Sequence, residues 1–455
     1  MTITNLSHFA SQHPTIEHLT PSSPSFNKVR TIFVSPDVKP SAILRPSDIE
    51  DTAAVVSFLT ANKIPFTIRV GGHDMHGRSM QNDVVTLDLR RIKQVAIDKK
   101  TMTARVGGGI LIADLVAALQ EEGLITPVGT VAGVGYVGWA MYGGYGPYSS
   151  LYGLGVDQIV GAKVIDARGK LIEADKELLK GIRGAGGAFG VIVEVTVRVY
   201  KLDQILAGAI MFQSDSLDTV LRQYNEGYRS LALSGSGLPA PLAIMQAVLP
   251  LPTPTFAMFF SWASSDFETG KEWLDKISAL APATVNTVQP STPSAFLAEI
   301  SGFVAPLTQG RMFSISLKKI TDEVAGVIAK YTADIPADPH MLFDAHELRS
   351  NSPSTKPNSG SDSVFSAREP HYMIEICTIV EKQENLEKAL AWGREFQEAL
   401  KETDAGNILQ ASYLSFLPRD EFEHEKIFGE NLPFLRGLKG RLDPGNVFQN
   451  AISYL

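Results

Sequence analysis

Ile68-Arg69-Val70-Gly71-Gly72-His73-Asp74 is the stretch on which the reading of this chain turns. The mostly apolar run from Ile64 to Val70 predicts a buried strand, and it ends abruptly at two glycines and a histidine. Glycine has no Cβ, so the backbone can turn sharply there and bring its N–H groups close to an anion such as a phosphate. The following Asp74-Met-His76-Gly77-Arg78-Ser79 adds ring nitrogen, guanidinium and hydroxyl beside the turn. Alone, such a strand and Gly-Gly pair is usually just a tight turn. The rest of the sequence decides between the two.

The chain has 455 residues, 44% hydrophobic and 20% charged, a globular composition long enough for two or three domains. A formal net charge of −8 argues against nucleic acid as a partner. No uninterrupted apolar run reaches the roughly 18 residues of a membrane helix, so no membrane partner is expected. The N-terminal residues lack a basic n-region and an apolar h-region, and Cys377 is the single cysteine. Together these predict an intracellular, cytoplasmic protein without an internal disulfide or a cysteine-built zinc site.

Residues 1–37 read as a polar, proline-punctuated arm. A short strand at Ser41–Arg45 and a helix capped by Ser47 or Asp48 lead into the Ile64–Val70 strand. Three short strands follow between Val84 and Val106, then a helix over Leu111–Glu122 and a glycine-rich region from Val128 to Gly146. Longer strands and amphipathic helices begin near residue 206 and end in a helix over Asn385–Lys401. The expected organisation is 38–205 and 406–455 as one part and 206–405 as another, in an α+β fold.

Gly107-Gly-Gly109 lacks the G-x-G-x-x-G spacing, and so does Gly184–Gly190, which argues against a nicotinamide Rossmann unit. His73, Asp74 and His76 are a weak set of metal ligands, and no metal is expected. No Gly-x-Ser-x-Gly elbow anchors a hydrolase triad. Read together, Gly71-Gly72, the Val128–Gly146 run and Gly187–Gly190 suit one large cofactor that needs close backbone approach at several separated places.

In order along the chain, Ala42-Ile-Leu-Arg-Pro, Arg69-Val-Gly-Gly-His-Asp, Gly77-Arg-Ser79, Gly133-Val-Gly-Tyr-Val-Gly138, Gly143-Gly-Tyr-Gly146, Tyr152-Gly-Leu-Gly-Val-Asp157, Arg183–Ile192 and Leu442-Asp-Pro-Gly-Asn-Val-Phe448 recur as a set. In these motifs the chain resembles the FAD-linked oxidases of the vanillyl-alcohol oxidase / p-cresol methylhydroxylase superfamily, in the branch of berberine bridge enzymes and 6-hydroxynicotine oxidases. The resemblance implies a two-part FAD-binding domain and a substrate domain whose antiparallel sheet, covered by helices, roofs the flavin.

It also implies roles. FAD would be held by Arg69, Val70, Gly71, Gly72, His73 and Asp74, by Gly77, Arg78 and Ser79, and by Val131, Gly133, Val134, Gly135 and Gly138. Tyr142, Gly143, Gly144 and Gly146 would continue that surface, with Gly190, Val191, Asn446 and Phe448 completing it. His73 stands where the family bonds histidine to the flavin 8α-methyl, the alternative being a simple hydrogen bond to the ring. Val131 replaces the cysteine of a second link, so a single attachment is expected, and Cys377 is no substitute. Val134, a small residue at the oxygen-gating position, fits O2 as electron acceptor.

On the strand Glu369–Ile376, Glu375 stands where berberine-type enzymes keep their active-site acid. The alternative is a salt bridge to Arg368 or Arg349. His371, Tyr372 and Tyr413 are further candidates for the base. The implied reaction is hydride transfer to flavin N5 from a small or medium organic alcohol, amine or phenol, with intermediates of specialised metabolism among the candidates. An oxidative or redox-neutral cyclase, or a silent flavin-binding protein, would share the motifs. Flavin bleaching on anaerobic mixing separates them.

Overall fold

A computed structural model describes residues 2–34, 37–302, 308–357, 360–452 and 455. Its first sheet has four strands in the order Glu17–Leu19, Ala42–Arg45, Val85–Asp88 and Phe66–Arg69. The last three run parallel, and Glu17–Leu19 joins antiparallel at the edge. The helix Ile49–Ala61 links two of the parallel strands, and the Asp48 carboxylate caps it by accepting from the Asp51 N–H. The N-terminal residues are more than a lead-in. Leu6, Phe9 and Ile16 are buried, and Phe9 stacks on Phe58 of that helix with centroids 4.3 Å apart.

A second sheet orders Val95–Asp98, Thr103–Gly107, Val191–Arg198, Ile159–Ile165 and Leu171–Glu173, antiparallel throughout. The C-terminal helix Leu432–Leu442 packs onto the same body. Lys439 Nζ donates to the Ala188 carbonyl and pairs with buried Asp443 at 2.7 Å. In sequence this helix follows the large sheet, yet in space it rejoins the first half of the chain.

The largest sheet has eight strands. Its central run is Ile205–Phe212, Thr255–Trp262, Leu242–Leu249, Leu342–Leu348, His371–Cys377 and Met312–Leu317, each antiparallel to the next. Strand side chains alternate between faces. Phe256, Met258, Phe260, Phe343, Ala345, Tyr372, Ile374 and Ile376 share an apolar core with the helices Leu217–Leu233, Asp322–Ala333 and Leu386–Lys401. Their neighbours in the strands, including Leu342, Asp344, His346, Met373, Glu375 and Cys377, face a cavity between this sheet and the glycine-rich part of the chain. No helix among the described residues is long and apolar enough to cross a membrane.

Candidate active site

The cavity has a volume of about 350 Å³ and two unlike walls. One is backbone. The Phe66–Arg69 strand delivers Gly71, whose missing Cβ would lie 2.4 Å from Gly135 N and 2.6 Å from Gly133 O. Only glycine lets these two loops touch main chain to main chain. Gly72 turns the chain with φ +76°, a conformation side-chain-bearing residues rarely take. The second loop is fixed from behind, as Ile112 N–H donates to Val134 O at 2.9 Å and Tyr136 N–H to Ile110 O at 3.0 Å.

His73 leaves this turn into the cavity. Its ring stacks on Phe33, with centroids 4.5 Å apart, and its Nε2 packs where a Cβ on Gly133 would sit. Burial, and secondarily the nearby Arg69 charge, pull its pKa down to about 4, so the imidazole is neutral at physiological pH. Asp74 clasps the next turn: its carboxylate accepts from the His76, Arg78 and Ser79 N–H groups and pairs with the Arg78 guanidinium at 2.9 Å. Arg78 also donates to the Leu414 and Leu417 carbonyls, tying the turn to the C-terminal segment. Ser79 lines the cavity, and its buried Oγ has no hydrogen-bond partner among the described residues.

Val70, Gly71, Gly72, His73, Asp74, Arg78, Ser79, Val131, Val134, Gly135, Gly138, Tyr142, Gly190 and Phe448 thus converge on the cavity, and Glu375 and Tyr413 face it as well. The other expected contacts lie elsewhere. Arg69 is 2% exposed and outside the cavity lining, and its guanidinium donates to the Val29 and Thr31 carbonyls, bracing the N-terminal segment. Val191 points into the core beneath the first sheet. Asn446 takes φ +49° in the turn after the last helix, away from the lining. Gly77 serves a turn, Gly133 backs His73, and Gly143, Gly144 and Gly146 pack on Phe365, Gly155 and Val128. These glycines shape the wall from behind.

The opposite wall is built of side chains. Glu375 lies in register between Asp344 and Ser314 of the flanking strands. It makes no salt bridge to either expected arginine: Arg368 pairs with Asp157 at 2.7 Å, and Arg349 donates to Ser150 Oγ at 3.0 Å. Burial first, and the Asp344 carboxyl second, raise the Glu375 pKa well above the ordinary range.

Tyr372 is removed from the candidates for the base. Three residues from Glu375, it falls on the helix side of the sheet, beside Tyr224 and Glu347. His371 has the right parity but sits behind Tyr145. Its Nδ1–H donates to the Glu369 carbonyl at 2.6 Å, so its Nε2 accepts the Tyr145 hydroxyl at 2.8 Å. Tyr413 meets Tyr145 edge to face at 5.2 Å, and burial raises its phenol to about 12. Cys377 also reaches this wall, where its thiol donates to the His340 carbonyl at 3.2 Å and burial raises its pKa strongly.

Asp344, His346 and Tyr145 were not anticipated. The strand Leu342-Phe-Asp-Ala-His346 carries polar residues at every second position of an apolar run, the same signal that marks Glu375. Cβ-free backbone on one side, an unpartnered buried hydroxyl at the rim and an acid on the other side fit a bound flavin nucleotide.

Known proteins share the sequence motifs and the fold. Residues 40–175 match the FAD binding domain model and residues 412–453 the model described as berberine and berberine like. The FAD-linked oxidoreductase aurO of Gibberella zeae is 32% identical over 444 residues, covering 96% of this chain and 85% of that protein. Among solved structures, 6-hydroxy-D-nicotine oxidase of Arthrobacter nicotinovorans superposes with TM-score 0.80 at 21% identity, over 95% of this chain and 96% of the other. Glucooligosaccharide oxidase of Acremonium strictum, with its 6-S-cysteinyl, 8α-N1-histidyl FAD, gives TM-score 0.81 at 18% identity over 99% and 98%. The chain belongs to the berberine-bridge-enzyme-like family of FAD-linked oxidoreductases.

Proposed function

We propose that this enzyme holds FAD through one covalent bond at His73 and oxidises a carbon of a small or medium organic alcohol, amine or phenol, with Glu375 as the base. The observation that carries the reading is the placement of Glu375 on one wall of the cavity whose other wall is the Gly71-Gly72-His73 turn. When bound, FAD supplies a two-electron acceptor that takes a hydride from carbon and passes the electrons to O2.

The residues supply the rest. A neutral His73 imidazole keeps a lone pair for bond formation, and the Phe33 stack fixes its plane. Val131 at the cavity leaves no thiol at the position of a second link. Cys377 lies on the sheet wall, and its raised pKa keeps the unreactive thiol form. Val134 contributes a small apolar side chain to the floor, in keeping with access for O2.

Met245, Leu249, Phe259, Ile300 and Met312 make much of the remaining surface apolar, so a substrate is recognised largely by burial, with Glu375, Tyr145 and Tyr413 fixing its polar atom. Once ionised, a carboxylate with a raised pKa is a strong base in a dry site. The test is anaerobic mixing of the holoenzyme with a panel of benzylic alcohols, cyclic amines and alkyl phenols, read as flavin bleaching. For any compound that bleaches the wild type, Glu375→Gln is expected to slow bleaching by about 100-fold or more. An unchanged rate contradicts the assignment of the base.

A further inference from the structure

We propose that Asp344, His346 and Glu375 form one proton-sharing unit, in which Asp344 and His346 are positioning residues that set when Glu375 is free to accept a proton. The inference rests on the reading of Glu375 as the base. Asp344 and Glu375 are directly paired across neighbouring strands, and His346 follows on the same face. The three contribute one ligand-type atom each, all within 4.8 Å of one another. His346 Nε2 is 3.7 Å from Asp344 Oδ1 and 3.7 Å from Glu375 Oε1. Strand pairing places the two side chains opposite each other on one face of the sheet.

Nothing nearby neutralises two negative charges. Asp344 is 8% exposed, and its Oδ1 has no hydrogen-bond partner among the described residues. From the Leu242–Leu249 strand the cavity receives Met245, Ala247 and Leu249, all apolar, and Ser314 is the register partner of Glu375 on the Met312–Leu317 strand. Cys377 on Glu375's own strand, and Tyr413 and Tyr145 from the facing segments, are all held neutral by burial. His73 and His340 also line the cavity, and His73 is neutral. Among the described residues no lysine or arginine contributes to the shift of either carboxyl.

Two carboxylates this close in a dry wall cannot both ionise readily, so a proton stays between them. Burial raises Asp344 to about 8 and lowers His346 to about 4, leaving a neutral imidazole 3.7 Å from each carboxyl. Substrate deprotonation then returns a proton to whichever member of the pair has ionised. This is proton transfer alone and requires no further oxidant.

The test is an infrared pH titration of the FAD-loaded full chain without substrate, following the C=O stretch of protonated carboxyls. The wild type is expected to show buried protonated carboxyls at pH 7 that ionise in two separate steps, the later one raised by the like charge left by the first. In Asp344→Asn the remaining Glu375 band should disappear at a pH lower by about one unit or more, because a like charge is gone. In Glu375→Gln the later step should likewise vanish, leaving Asp344 to ionise in one step, so either folded, flavin-retaining variant suffices. His346→Leu, which replaces the polar neighbour of both carboxyls with an apolar one, should move the band upward. Titrations unmoved by these substitutions overturn the proposal. So does a stoichiometric divalent metal in the purified protein whose removal by EDTA changes the band. Coupling retained while Glu375→Gln bleaches normally removes Glu375 as base but leaves the unit intact. Slow bleaching without coupling sinks the unit alone.

Discussion

The two walls of the cavity are made by opposite means. The floor around Gly71 is shaped by what is missing: Cβ atoms whose absence lets two loops meet at main-chain distance. The roof around Glu375 is shaped by what projects from a sheet, with alternate residues sent to helices or to the cavity. A backbone wall tolerates almost no substitution but carries little chemistry of its own. A side-chain wall carries the acid–base groups and can be altered one residue at a time. Substrate preference is therefore expected to reside in the roof and cofactor retention in the floor.

Gly71→Ala should have the largest effect. Its new methyl meets backbone of Gly133 and Gly135 at 2.6 Å or less, atoms that cannot swing aside. Loss of bound FAD, with a lowered melting temperature, is expected from the flavin-to-protein absorbance ratio and a thermal melt. Full flavin content in this variant would show that the loops are looser than described.

Gly138→Ala provides the contrast within the same wall. A Cβ there meets no protein atom within 4 Å, yet the residue lines the cavity. The fold should melt as the wild type does in the flavin-free state, while FAD incorporation falls. Undiminished incorporation would place the cofactor away from that surface.

The smallest effect concerns stability and pH at the roof. Folding raises the Asp344 pKa from 3.8 to about 8, so between those values the native state keeps a proton that the unfolded chain has released. Stability from this group is complete below pH 3.8 and declines as pH rises through about 8. Asp344→Asn should flatten that decline. Melting temperatures across the interval check it, and an unaltered slope would assign the decline to other groups.

The floor was legible because glycine leaves a linear imprint: Gly71-Gly72-His73 and Gly133-Val-Gly135 can be read without knowing what lies opposite them. Glu375 could be found as an acid in an apolar alternating strand, and the same alternation excludes Tyr372 once parity is followed. Asp344 and His346 carried the same mark, but it gains meaning only when their strand is known to pair with that of Glu375, a register set by long-range packing. Arg69 shows the opposite limit. Beside a cofactor turn in sequence, it is turned inward by the carbonyls of Val29 and Thr31, partners that no local pattern announces.

The covalent tether is the claim on which floor and roof meet, and it can be tested directly. Wild-type and His73→Ala proteins are precipitated with acid, washed and unfolded, and the pellet is examined for flavin absorbance. The account predicts flavin that stays with the wild-type polypeptide and is wholly absent from the His73→Ala pellet. Flavin released completely from the wild type, or still bound without His73, would contradict it.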